Sequence, residues 1–78
     1  MKTADEMFEE LGCIFIYADE EFLQYKFEGI YMDIEIIFDL KRKTVLKEYA
    51  DREVCKITIE ELQAINKKVE ELEWNEKS

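Results

Sequence analysis

Three carboxylates at alternating positions of one predicted strand are the residues best placed to do chemistry in this chain. Asp33, Glu35 and Asp39 share one face of that strand, on which alternate residues lie about 6.6–6.8 Å apart. Such a row of oxygen ligands could hold Mg²⁺ or Ca²⁺, but the Asp-x-Asp-x-Asp-Gly pattern of a calcium loop is absent. The simplest interpretation is a solvated sheet face. The alternatives are a metal site and an acidic face that docks on a basic protein surface.

The residue types that common enzyme mechanisms need are missing. The chain has no histidine, and neither Cys13 nor Cys55 has an obvious partner that would activate its thiol. Two isolated glycines cannot form a phosphate-binding loop. We interpret the cysteines as free thiols that act as small buried hydrophobes, with a disulfide or a redox function as the alternatives. We therefore predict a non-enzymatic protein that uses no cofactor and no small-molecule substrate.

The charge of the chain is strongly acidic and unevenly distributed. The net charge of −9 repels nucleic acid and anionic lipid and favours basic partners. Residues 41–57 nevertheless carry six basic and three acidic side chains, and the run Lys41-Arg42-Lys43 could bring the tip of a hairpin to a phosphate group. Three positive charges against this background are a weak electrostatic footprint. We therefore predict no direct nucleic-acid binding.

The apolar segments are too short to suggest a membrane protein. A spanning helix needs about 20 apolar residues, and the longest apolar runs here are far shorter. The N-terminal residues 1–6 are mostly polar and lack the apolar region of a signal peptide. We predict no membrane association and a cytoplasmic location.

Two capping boxes and four strand patterns predict an α+β fold. Thr3 with Glu6 and Thr58 with Glu61 mark the starts of a short N-terminal and a longer C-terminal helix, and Gly12 is suited to end the first one. Alternating or β-branched patterns predict strands at residues 13–17, 22–28, 31–40 and 44–49. Connections this short join antiparallel neighbours. The prediction is a four-stranded antiparallel meander sheet flanked by the two helices, in the order α-β-β-β-β-α.

The C-terminal helix is predicted to carry one apolar stripe. Leu62, Ile65, Val69 and Leu72 fall within an arc of about 80°. Ile57 and Leu62 hold the two positions of a hydrophobic staple at the start of the helix. We predict that the stripe packs on the sheet, and the alternative is a helix that docks into a groove of a partner.

A chain this short has difficulty covering its own apolar surface. Residues 1–78 fit a single domain, with residues 75–78 as a flexible tail, and a chain of this length buries only roughly 60–65% of its unfolded surface. The first strand is apolar on both faces, and Tyr31 and Ile37 lie on the acidic face of the third. Either the helices take opposite faces of the sheet or a partner covers one face. We predict a partner, and specifically a homodimer, because small domains often need a second subunit.

The predicted partner-binding residues are those of the acidic strand face together with the single tryptophan. The face residues are Tyr31, Asp33, Glu35, Ile37 and Asp39. Trp74 follows the stripe of the last helix, where it either marks a binding hot spot or closes the edge of the core.

Three segments share a style of sequence with a known group of proteins. They are TADEMFEELG (residues 3–12), IIFDLKRKTVLK (36–47) and ITIEELQAINKKVEELEW (57–74). In these segments the chain resembles small uncharacterised proteins encoded by bacteriophages and prophages of Gram-positive bacteria. The resemblance implies an accessory protein made in the bacterial host cytoplasm, and it implies no site residues. Phage accessory proteins of this size and acidity include inhibitors that occupy the DNA-binding surfaces of host enzymes, among them RNA-guided nucleases.

We therefore expect a phage-type accessory protein that acts as a protein-interaction module through an exposed sheet face or a sheet edge. The alternative is an acidic inhibitor that imitates nucleic acid and binds a basic host DNA- or RNA-binding enzyme. Salt distinguishes the two hypotheses, since binding to a basic partner weakens steeply as salt rises, whereas an apolar interface tolerates salt.

Overall fold

The computed structural model describes residues 2–28, 34–49, 52–53 and 56–74. The elements in these ranges are α1 (Ala4–Glu10), β1 (Cys13–Ala18), β2 (Phe22–Phe27), β3 (Ile34–Asp39), β4 (Thr44–Tyr49), β5 (Arg52–Glu53) and α2 (Ile59–Glu71). The strands form one antiparallel sheet in the order β1-β2-β3-β4-β5. The predicted α+β fold, a meander between a short and a longer helix, is confirmed. The difference is β5, because a strand of two residues is too short to produce a period-two pattern.

Both helices begin where the capping boxes predict. Thr3 Oγ1 accepts from the Glu6 amide at 3.2 Å, and the Glu6 carboxylate accepts from the Thr3 amide at 2.9 Å. Thr58 and Glu61 repeat this exchange at 3.1 and 3.2 Å. Gly12 follows α1 with a φ of +84°, a backbone conformation that glycine adopts without the clash a Cβ would cause. Local sequence therefore fixes both helix starts and the end of α1.

Aspartates close the two described hairpin turns. Asp19 Oδ1 accepts from the amides two and three residues ahead of it at 2.7 and 2.8 Å, and Asp39 Oδ1 does the same at 3.1 and 2.9 Å. The second turn contains the predicted basic run, in which Lys43 has a φ of +56°. Lys41 lies 3.5 Å from Glu21, so this turn also neutralises an acidic group of its neighbour.

Both helices cover the same face of the sheet. Phe8 of α1 stacks on Tyr25 of β2 at 4.1 Å between ring centroids and meets Phe38 of β3 edge-on at 6.1 Å. Ala64 and Ile65 of α2 belong to the same buried cluster. The helices also contact each other, since the Ala4 amide donates to the Glu71 carboxylate. The structure thus places a single core between the two helices and one sheet face.

The buried face of α2 differs from the predicted stripe. Ile65 is buried, and Val69 and Leu72 are partly buried against the core, as expected. Leu62 is 43% exposed, and Glu61 and Ala64 are buried instead. The correction has a physical reason: Glu61 forms an ion pair with Lys47 of β4 at 2.7 Å, and this pair turns the Glu61 side of the helix towards the sheet. Leu62, one residue and about 100° further round the helix, is thereby left in solvent.

No helix within the described ranges is both long enough and apolar enough to span a membrane.

Candidate interaction surface

We call the sheet face opposite the two helices the outer face. Residues paired across strands point to the same face and successive residues alternate, so the register places Gln24, Ile37 and Leu46 side by side on it. Tyr17 of β1 pairs with Gln24 and extends this row to the sheet edge. No described helix packs against this row, because α1 and α2 both lie on the other side.

The structure brings together some of the predicted partner-binding residues. Glu35, Ile37 and Asp39 lie on the outer face, as predicted. Asp39 also has a structural task there, since its carboxylate closes the β3–β4 turn. Tyr31 and Asp33 lie outside the described residues.

Trp74 lies apart from the outer face. Its ring is 6.1 Å from that of Phe38, which points towards the helices, and its side chain is partly buried against the core. This position corresponds to the alternative considered for Trp74, a side chain that closes the edge of the core.

Three carboxylates stand next to one another on the outer face. Glu35 of β3 pairs with Glu48 of β4, which pairs with Glu53 of β5. Like charges directly opposite on neighbouring strands destabilise a sheet. A cationic surface laid across this row would relieve that repulsion.

The edge strand β1 exposes the largest block of apolar side chains in the described sheet. Ile14, Phe15, Ile16 and Tyr17 are between 40% and 51% exposed. The register shifts between Phe15 and Tyr17, so a bulge leaves Ile16 without a partner on β2. The sequence carried a signal for this surface, the apolar character of β1 on both faces, and the predicted meander order places this strand at an edge of the sheet.

A groove of about 380 Å³ runs between β1 and α1 on the helix side of the sheet. Phe15 and Tyr25 provide apolar walls, with their ring centroids 5.8 Å apart in an edge-to-face contact. Asp5, Glu9 and Glu28 lie around the groove. It therefore combines an apolar floor with an acidic rim.

One of these acids is already engaged. Asp5 accepts a hydrogen bond from the Tyr25 hydroxyl and lies 3.5 Å from Lys68 Nζ. Burial, reinforced by this hydrogen bond, raises the pKa of Tyr25 above its ordinary value, so the hydroxyl stays neutral and acts as a donor. Asp5, Glu9 and Glu28 are all exposed.

A second cleft, of about 550 Å³, separates the two helices. Met7 and Leu11 of α1 form its apolar side, and Lys2 and Lys67 add positive charge to its border. Lys2 is paired with Glu10 at 2.5 Å, so the charges of this cleft are partly balanced. Nothing in its chemistry selects one class of ligand.

The described residues contain one buried ion pair, formed by Lys47 and Glu61 close to Cys13. Lys47 Nζ lies 2.7 Å from Glu61 Oε1 and 3.0 Å from the Lys56 carbonyl oxygen. It also lies 5.5 Å from the centre of the Phe27 ring. These contacts tie α2 to β4, a structural role. Within the described ranges, no group of three or more acidic or cysteine side chains is arranged to hold a metal ion.

Cys13 is a buried free thiol, as predicted, whereas Cys55 lies outside the described residues. Burial raises the pKa of Cys13 to about 12, and the nearby Glu61 carboxylate adds to the effect while Lys47 opposes it. The folded-state pKa of Cys13 lies above that of the unfolded thiol, which is about 8.5. Below pH 8.5 the thiol is neutral in both states, and its contribution to stability is fully present. This contribution to stability falls as the pH rises from about 8.5 towards 12.

We expect Cys13 to react slowly with iodoacetamide while the protein is folded. At pH 8.5 about half of an unperturbed thiol is ionised, against roughly one in a thousand or fewer at Cys13. Peptide mapping by mass spectrometry should show labelling at least about 100-fold slower in buffer than in concentrated urea. A folded-state rate within tenfold of the rate in urea would show that the thiol is accessible and only weakly perturbed.

Comparisons of the chain with protein-family models, curated proteins and solved structures gave no match. A functional hypothesis for this chain therefore depends on the chemistry of its own surface.

Proposed function

We propose that this chain is a non-enzymatic protein-interaction module whose binding surface is the outer face together with the edge strand β1. The observation that carries the proposal is the exposure of four consecutive apolar residues of β1, each at least 40% exposed. Exposed apolar surface that continues across a sheet is typical of interaction sites. The resemblance to phage proteins suggests an accessory role in a bacterial host cytoplasm.

The simplest partner for the outer face is a second copy of the chain. Two helices on one side leave Ile37 and Leu46 in the middle of a sheet face that no described helix covers. A domain of 78 residues has a small core, and a second subunit is a common source of additional burial for such domains. In a two-fold dimer the row Tyr17, Ile37 and Leu46 would pack on its copy, with the carboxylates at the border.

Charge introduced into this row should separate the dimer. We expect the wild-type chain to sediment as a dimer at tens of micromolar, and Ile37→Lys/Leu46→Lys to sediment as a monomer. Each substitution in the buried centre of an interface costs about 2 kcal/mol or more, which is roughly 30-fold in Kd. Circular dichroism would establish that the variant is folded.

The matched control is Gln63→Lys/Asn66→Lys. It adds the same two positive charges at exposed positions of α2 and should leave the dimer intact. A monodisperse wild-type monomer at these concentrations would contradict the homodimer.

The row of Glu35, Glu48 and Glu53 supports a second candidate, an acidic inhibitor that occupies the nucleic-acid-binding surface of a basic protein. Glu48 has a carboxylate on each side, which is unfavourable in a sheet, whereas Glu35 also faces Lys26 of β2. A cationic surface would interact favourably with the row. Binding by this mechanism would weaken steeply as salt is raised and would be competed by DNA. An apolar interface would show neither behaviour.

A further inference from the structure

We propose that the exposed edge of β1, with the groove between β1 and α1, binds an extended cationic segment of another protein as an added strand. This inference rests on the proposed interaction function and specifies the partner of one part of its surface. Strand addition uses the main-chain groups of a sheet edge for affinity and side-chain pockets for specificity.

The two ends of the sheet differ in their suitability for an added strand. β5 consists of two exposed charged residues, Arg52 and Glu53, and a short charged edge strand resists pairing. β1 has six residues, CIFIYA, without charge or proline. Among the described strands, β1 is therefore the more open edge, although its bulge at Ile16 interrupts the regular pairing of the strand.

The groove beside β1 offers sites for alternate side chains of the added strand. Every second side chain of a strand points to the same face, so one set would enter the groove against Phe15 and Tyr25. The other set would lie on the outer face beside Ile14 and Tyr17. Apolar side chains fit the first set.

The charges around β1 select a cationic segment. Glu9 and Glu28 stand at the start of the strand. The turn Asp19-Glu20-Glu21 stands at its end, with Glu21 paired to Lys41. Two lysines lie near β1: Lys68 is paired with Asp5 and Glu71, and Lys26 pairs across the strands with Ile14 and, on its other side, with Glu35. Lysine or arginine side chains of the added strand would meet acidic groups at both ends.

The same charges disfavour a second copy of β1 at this edge. A two-fold axis through β1 would set the acidic turn of each copy beside the start of the other copy's strand, where the Glu28 amide donates to the Gly12 carbonyl oxygen at 2.8 Å. Acidic groups would then face each other at both ends. We therefore assign the proposed self-association to the outer face and the binding of the cationic strand to the edge of β1.

The test uses a capped octapeptide of alternating lysine and valine, titrated into the ¹⁵N-labelled chain. We expect amide shifts concentrated in β1 and α1. Two control peptides isolate the parts of the proposal: glutamate in place of lysine removes the charge match, and N-methylation of alternate residues blocks strand pairing. Both should bind at least about 10-fold more weakly than the lysine–valine peptide.

Charge reversal on the protein provides the complementary test. Glu9→Lys/Glu28→Lys should weaken peptide binding at least about 10-fold. The matched control Glu60→Lys/Glu70→Lys makes the same change in charge at exposed positions of α2 and should weaken it far less. Equal weakening by the two variants would show that peptide binding depends only on the net charge of the chain, and it would overturn the proposal.

Further results of the peptide titration also test the proposal. Absence of binding by the lysine–valine peptide, equal binding of the N-methylated peptide, or shifts centred on β5 or on α2 would each overturn the proposal. The outer-face variant Ile37→Lys/Leu46→Lys should retain peptide binding while losing self-association. A dimer that persists while the peptide fails to bind would leave the proposed interaction function standing and remove only its cationic strand.

Discussion

Lys47→Met should lower the free energy of unfolding by about 3–5 kcal/mol, the usual effect of removing one partner from a buried ion pair. Lys47 and Glu61 lie 2.7 Å apart, and each side chain is 9% exposed. Methionine fills most of the space of the lysine stem and retains contact with Phe27, so the loss comes mainly from a buried carboxylate without its cation. Urea unfolding followed by circular dichroism measures the change.

A double-mutant cycle separates the ion pair from packing. Glutamine at position 61 removes the charge but keeps the oxygen that accepts from the Thr58 amide, because Glu and Gln both serve in a capping box. Lys47→Met/Glu61→Gln should therefore recover at least half of the stability lost by Lys47→Met alone. Loss of less than about 1 kcal/mol in Lys47→Met would show that the pair contributes little and that solvent reaches Glu61.

This ion pair marks the boundary of what the sequence could predict about the fold. The capping box of Thr58 and Glu61 is a local pattern of four residues, and the start of α2 follows from it directly. The bond from Glu61 to Lys47 joins residues 14 positions apart, and no periodicity signals such a contact. A hydrophobic stripe was expected to face the core, so the pair also accounts for the wrong assignment of Leu62.

The meander was predictable because its signals, strand patterns and turn residues, also lie close together in the sequence. Strands of six residues with period-two patterns, joined by turns that Asp19 and Asp39 close with their own side chains, leave little choice of topology. The side on which each helix packs could not be predicted in this way. α1 is a helix of seven residues, and its orientation relative to the sheet, across the connection at Gly12, depends on its contacts with β2 and β3. The sequence left two arrangements open, and the structure selects the one with both helices on a single face.

The candidate surface likewise contains residues that a local sequence pattern predicts and a groove that only tertiary contacts create. Glu35, Ile37 and Asp39 could be assigned to one face from their alternation in β3. The groove between β1 and α1 could not, since it exists only because α1 folds back beside the edge strand. Trp74 was expected, from its place just after the stripe of α2, either to mark a binding hot spot or to close the edge of the core, and its position against Phe38 corresponds to the second.

Phe8→Ala should destabilise the protein by about 3–5 kcal/mol, as expected for a fully buried phenylalanine. Phe8 is 0% exposed, stacks on Tyr25 at 4.1 Å and meets Phe38 at 6.1 Å. Domains of this size have unfolding free energies of about 5–15 kcal/mol, so the variant should be partly unfolded or close to it at 37 °C. Thermal and urea unfolding measure the loss of stability. The control is Met7→Ala, on the same helix but only partly buried, which is expected to lose about 1 kcal/mol.

Hydrogen exchange on Phe8→Ala distinguishes two ways in which the core can fail. If α1 and the sheet form one cooperative unit, amides of β2 and β3 should lose protection together with those of α1, because Tyr25 and Phe38 would be opened to water. If only α1 detaches, protection should fall in the helix alone, and the groove beside β1 should open without unfolding of the strand. The shared aromatic cluster favours the first outcome, and protection in β2 and β3 that matches the wild type would contradict it.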